Sequence, residues 1–152
     1  MYKHKGIVSA LLVSFAGLIA FGQESPLKVE IKLAHATANN YEPFSVATAI
    51  RNTGTEDQTV DVWSCSYPTQ WTGDIPSVRV NLVGCKKNDL QHLKLKPGEA
   101  CERPLSIRIE LPAGNGKPEA VTFRMGFKTA TIEIGKENIP VWSNAVTVSV
   151  TK

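Results

Sequence analysis

Beyond residue 22 the sequence has no apolar stripe recurring at i, i+3, i+4 and i+7, so no substantial helix is expected there. It also has no second apolar run long enough to cross a bilayer. Chemistry-bearing residues are scarce. His35 and His92 are the only histidines in that stretch, Met125 is its only methionine, and its cysteines are Cys65, Cys85 and Cys101. No His-Glu-x-x-His, Gly-x-Ser-x-Gly or phosphate-cradling glycine loop occurs. The cysteines lack the short Cys-x₂₋₄-Cys spacing that pre-forms half of a zinc site, and one methionine is a poor basis for a copper carrier. The sequence therefore reads as a non-enzyme, with no catalytic residues, no metal and no cofactor expected.

Charge of one sign is missing too. Lys3 and Lys5 lie in the first segment, so 15 of the 17 basic residues face 14 acidic ones, a net charge near +1. With no basic patch and no nucleic-acid-reading motif, nucleic acid is not an expected partner.

What is present begins with an export pattern. Lys3 and Lys5 precede an almost uncharged run from Gly6 to Gly22 that ends in Ala20-Phe21-Gly22. A short positive region, an apolar stretch too brief to span a membrane comfortably, and small residues at the cleavage positions describe a signal peptide over 1–22. The alternative is an uncleaved membrane anchor or a buried core helix. Cleavage would leave Gln23 first, and residues 23–152 form one domain by length, located in the periplasm or outside the cell, with no membrane insertion. In such an oxidising compartment three cysteines imply one disulfide and one free thiol, with three pairings open.

The rest alternates with period 2. Val29, Ile31 and Leu33 form one such set; Phe44, Val46, Thr48 and Ile50 another. Val60 and Val62, then Val78, Val80 and Leu82, then Leu93 and Leu95 follow. Leu105 to Leu111, Val121 to Phe127, a short Thr131–Ile134 segment and Val146 to Val150 complete the series. Seven to nine short strands at roughly 8–12-residue spacing point to an all-β antiparallel sandwich, although alternation alone permits a barrel.

One segment departs from this rhythm: Trp63-Ser-Cys-Ser-Tyr67-Pro-Thr-Gln-Trp71-Thr-Gly-Asp74-Ile-Pro76. Its aromatic content makes Trp63, Tyr67, Trp71 and Asp74 candidate binding residues for a protein or a glycan. The competing reading has both tryptophans plug one end of the sandwich, with a bulge turning Trp63 inward from its outward parity.

Arg51-Asn52-Thr53-Gly54, Leu95-Lys96-Pro97-Gly98-Glu99 and Trp142-Ser143-Asn144-x-Val146-x-Val148 together carry a resemblance. The chain resembles immunoglobulin-like β-sandwich modules of exported bacterial proteins, including the BsuPI-type proteinase-inhibitor group. Trp63-Ser-Cys-Ser-Tyr67, Trp71, Asp74 and Cys85-Lys-Lys-Asn88 look like those of uncharacterised exported members of that group. That likeness implies a Cys65–Cys85 bridge with Cys101 left as a free thiol, and it brings no established active residues. Three functions follow as expectations. The first is a non-catalytic exported binding module for an extracytoplasmic protein, a proteinase being one version. The second is a structural accessory domain of an envelope assembly, and the third is carbohydrate recognition through the aromatic loop.

Overall fold

The computed structural model describes residues 25–113, 116–130 and 138–151. The signal-peptide segment and the Thr131–Ile134 strand expected above both lie entirely outside the described residues. The described chain is all-β, with a single 3-10 turn at Tyr67–Gln70. Its strands are β1 (Leu27–Leu33), β2 (Thr37–Asn39), β3 (Phe44–Asn52), β4 (Gln58–Trp63), β5 (Trp71–Gly73) and β6 (Val78–Val80). They continue with β7 (Leu90–Leu95), β8 (Ala100–Ile109), β9 (Glu119–Phe123), β10 (Met125–Phe127), β11 (Val141–Trp142) and β12 (Val146–Thr151). Seven of these have five residues or more, and each carries an alternation visible in the sequence. The others are stretches of two or three residues; β6 and β10 fall within the alternating sets at Val78 and Val121–Phe127, and β2, β5 and β11 are too short for a period to show.

The largest sheet runs β1-β3-β8-β6, antiparallel throughout. Its inward residues, Val29, Ile31, Val46, Ile50, Leu105, Ile107 and Ile109, are buried, while Lys28, Lys32, Ala47 and Glu102 face water. The smaller sheets β11-β10-β5, β2-β12-β9 and β4-β7 present Trp71, Met125, Phe127, Val121, Phe123, Val148, Val150, Val60 and Val62 to the same core. Two apolar faces closed on each other give the sandwich, consistent with an immunoglobulin-like arrangement. One pairing is parallel: β2 lies beside β12 with Val150 opposite Ala38.

Side-chain amides hold the smaller sheets together where ladders stop. Ser143 N–H donates to Met125 O at 2.9 Å, and Met125 N–H donates to Ser143 Oγ at 3.0 Å, which carries the pairing across the gap between β9–β10 and β11–β12. The buried Gln70 amide accepts from Trp63 N–H at 2.9 Å and donates to Asp61 O and Lys128 O, both at 3.0 Å, tying β4 to the end of β10. At the open edge of the large sheet, the Asn144 amide accepts from Ile31 N–H at 2.9 Å and donates to Ile31 O at 3.1 Å. It thereby occupies the place of a neighbouring strand on β1.

The turn motifs meet in the same way. Asn52, fully buried, donates through Nδ2 to Glu56 O at 2.8 Å and Leu95 O at 2.9 Å, and its Oδ1 accepts from Gly54 N–H. Its backbone accepts from Gly98 N–H and donates to Glu99 O, and Gly98 reaches that position with φ +84°, a region favourable to glycine. Two of the three motifs on which the family resemblance rests are thus one structural knot.

Strand β8 runs unbroken through Pro104. Its β6 partner covers only Ile107–Ile109, so the side that a proline leaves without a donor is unpaired at that point. The expected Val78-Val80-Leu82 strand is shorter than its alternation suggests. Pairing with β8 ends at Val80, and Leu82 is 68% exposed. Asn81 causes the exit: its N–H bonds Ser106 O, its Nδ2 bonds Ser106 Oγ, and its Oδ1 accepts from Arg108, after which the chain turns towards Cys65.

Candidate functional site

The four candidate binding residues do not form one surface. Tyr67 and Trp71 are 4% and 5% exposed and belong to the core. Pro68 at the start of the 3-10 turn and the return to extended backbone at Trp71 swing both rings inward. There Tyr67 meets Trp71 edge-on at 5.7 Å and Trp71 meets Phe127 at 5.3 Å. Buried rings offer no stacking face, so Tyr67 and Trp71 stand in the core and not on a loop surface. The plug comes without a bulge: β4 keeps its register through Trp63 opposite Leu90, and Trp63 stays half-buried on the outward side with Asp61 and His92. Asp74 lies elsewhere, bound to Arg124 through Nε at 3.0 Å and backbone N–H at 2.8 Å.

The buried cluster has its own electrostatics. Thr48 donates to Arg103 O at 2.7 Å, so the Tyr67 hydroxyl, 3.0 Å away, donates to Thr48. Burial pushes the Tyr67 phenol up to about 12. The Arg103 guanidinium lies 5.0 Å from the Tyr67 ring centre and reaches Gln91 at 2.7 Å. The Trp71 Nε1 is buried and has no hydrogen-bond partner among the described residues.

Cys65 and Cys85 are bridged, as the resemblance implied, with Cα atoms 5.8 Å apart. Cys101 is free and shares the inward parity of Leu105 and Ile107. It is half-buried rather than enclosed, since it sits near the start of β8 at the margin of the core. His92 Nδ1 pairs with Asp61, and His35 is exposed beyond β1. Among the described residues, no three His, Cys, Asp or Glu side chains are grouped to hold a metal ion, and no helix is long and apolar enough to cross a membrane.

The bridge braces a segment that the sequence reading passed over. Residues Asn81–Asp89 connect β6 to β7 without helix or strand, and Leu82 and Val83 are each 68% exposed. Every point of support is away from these two side chains. Asn81 anchors the start as described, and Cys85 is covalently tied at mid-span. Asn88 then accepts from the Cys65 and Ser66 N–H groups at 3.2 and 3.0 Å, while Ser64 and Asp89 exchange bonds at the far end. Half-buried Trp63 and partly exposed Leu90 form the base of the loop, so one member of the expected aromatic set does border it. Lys86 and Lys87 are exposed on its descending half. A signal was available: Leu-Val-Gly-Cys followed by Lys-Lys-Asn is apolar at one end and charged at the other. Its alternation with Val78 and Val80 disguised it as strand.

A separate concavity of about 870 Å³ lies over the outer face of β1, β3 and β8, with small Ser45, Ala47 and Ala49 as its floor and Glu30, Lys32 and Glu102 on its sides. The Lys28 ammonium, hydrogen-bonded to Glu30 at 2.9 Å, lowers that carboxyl below its usual range.

No family model matches the chain, and no curated protein does. Among solved structures, the solution NMR structure of a CARDB domain from Pyrococcus furiosus is similar to it. The two are 17% identical, with 83% of this chain and 94% of that chain covered at a TM-score of 0.40.

Proposed function

We propose that this protein is a non-catalytic exported recognition module that binds an extracytoplasmic protein through the Asn81–Asp89 loop. The reading takes residues 1–22 as the export signal. The observation that carries it is the pair Leu82–Val83, adjacent and mostly exposed on a segment fixed at both ends and at its middle. Exposed aliphatic side chains cost solubility, and a braced loop loses little conformational entropy when it docks; together these are the marks of a pre-organised contact. Leu82, Gly84 and Lys86 make no hydrogen bond among the described residues, so their backbone groups are available to a partner as well. A proteinase is one partner such a loop would suit, a version drawn from the family resemblance.

The test immobilises the protein and a Leu82→Ser/Val83→Ser variant, and exposes both to envelope and medium fractions of the source organism. A protein retained by the parent and lost by the variant supports the reading. Equal retention by both forms, or retention by neither, refutes it.

The structural accessory role draws on one observation, the burial of Trp71 against Phe127. It predicts that Trp71→Ala lowers stability and leaves no binding defect apart from that loss.

A further inference from the structure

A second surface aromatic lies on the outer face of the β11-β10-β5 sheet, built by strands that take no part in the loop. Trp142, Gly126 and Thr72 form one cross-strand row. Gly126 leaves the room in which the indole lies: a Cβ there would meet Trp142 Cε3 and Cζ3 and Pro140 Cβ at 2.9 Å. Trp142 nonetheless keeps 37% of its surface exposed. Asp74 and Arg124 form the next row. The Asp74 carboxylate accepts from the Arg124 backbone N–H and Nε, which fixes the guanidinium with its carbon 5.7 Å from the Trp142 ring centre. The two terminal Arg124 nitrogens make no hydrogen bond among the described residues, and Thr72, in the neighbouring row, is exposed.

We propose that this face binds a neutral saccharide, with one pyranose ring laid on Trp142 and two adjacent hydroxyls on Arg124 and Asp74. The chemistry selects among ligands. An anion gains little, because Asp74 already neutralises Arg124. A quaternary ammonium is disfavoured, because the Arg124 guanidinium already takes the cationic place over part of the ring. An apolar or aromatic side chain would stack but leave the terminal guanidinium nitrogens unused. A pyranose satisfies each part: its C–H face covers the indole, one hydroxyl accepts from Arg124 and its neighbour donates to Asp74. Asp74, expected at a glycan site with Trp71, would serve one with Trp142 instead.

The test titrates the purified protein with soluble neutral hexose and N-acetylhexosamine oligosaccharides, with polygalacturonate and choline as charged probes, following tryptophan emission. A saturable change with a neutral oligosaccharide is expected, weakened at least about tenfold in Trp142→Ala and in Arg124→Lys, which keeps the charge and loses the fork. The Leu82→Ser/Val83→Ser variant should titrate like the parent. Circular dichroism separates lost binding from lost fold, and Arg124→Lys stands if Trp142→Ala does not fold. No saturable change with any neutral oligosaccharide, preference for a charged probe, or binding unaltered in folded variants would overturn the proposal.

Discussion

Asn52 carries three side-chain hydrogen bonds in a site closed to water, two given to the carbonyls of Glu56 and Leu95 and one accepted from Gly54. Asn52→Ala strands all three partners, so a loss of about 2–4 kcal/mol in unfolding free energy is expected from urea titration. Tyr67 makes a pH prediction. Its phenol ionises at about 12 in the folded protein and near 10 when unfolded. Stability is therefore full below pH 10 and falls as pH rises through the interval from 10 to 12, by roughly 2–3 kcal/mol in all. Denaturant midpoints measured across that range should drop, and Tyr67→Phe should flatten the slope. Gly126 is legible only once the register is known. Gly126→Ala drives a methyl into Trp142 and Pro140, with an expected cost of about 1–3 kcal/mol by thermal unfolding.

At the scale of elements, strands were readable where one face is buried over five residues or more, because a half-buried strand must alternate. Val46 and Ile50, or Leu105 to Ile109, admit no other register. Leu82 shows where that reasoning stops: its parity continues that of Val78 and Val80, but the strand ends because Asn81 is captured by Ser106 and Arg108 from β8. Trp71 was ambiguous for a related reason, since the ring that receives it, Phe127, lies 56 residues away in sequence. The Asn81–Asp89 loop depends on its bridge. Replacing Cys65 and Cys85 by serine removes the closure of a 20-residue separation, with a loss of roughly 3 kcal/mol expected in the chain-entropy account. The same change should release the loop before the core unfolds, visible as amide exchange at Ser66 and Asp89 that is faster than in the parent while exchange at Ile107 is unchanged.

For the whole molecule, the four-stranded sheet and the three smaller ones enclose a single core, and the amides of Gln70, Asn52 and Asn144 finish what the ladders leave open. The sequence motifs that suggested a family hold two of these amides, Asn52 and Asn144, which is why they spoke for architecture and were silent on activity. The candidate site was half legible. The disulfide followed from the resemblance and Asp74 proved a surface residue of a different cluster, whereas the exposed Leu82–Val83 pair and the Trp142 face required three-dimensional placement. The central claim is that recognition runs through the braced loop. Its most direct measurement places a photo-crosslinking side chain at Val83 in one protein and at Thr147, exposed on the outer side of β12, in another, and irradiates each in the intact source cells. The account predicts a discrete adduct with one extracytoplasmic protein from position 83 and none from position 147. Adducts from 147 alone, equal adducts from both, or none from 83 would contradict it.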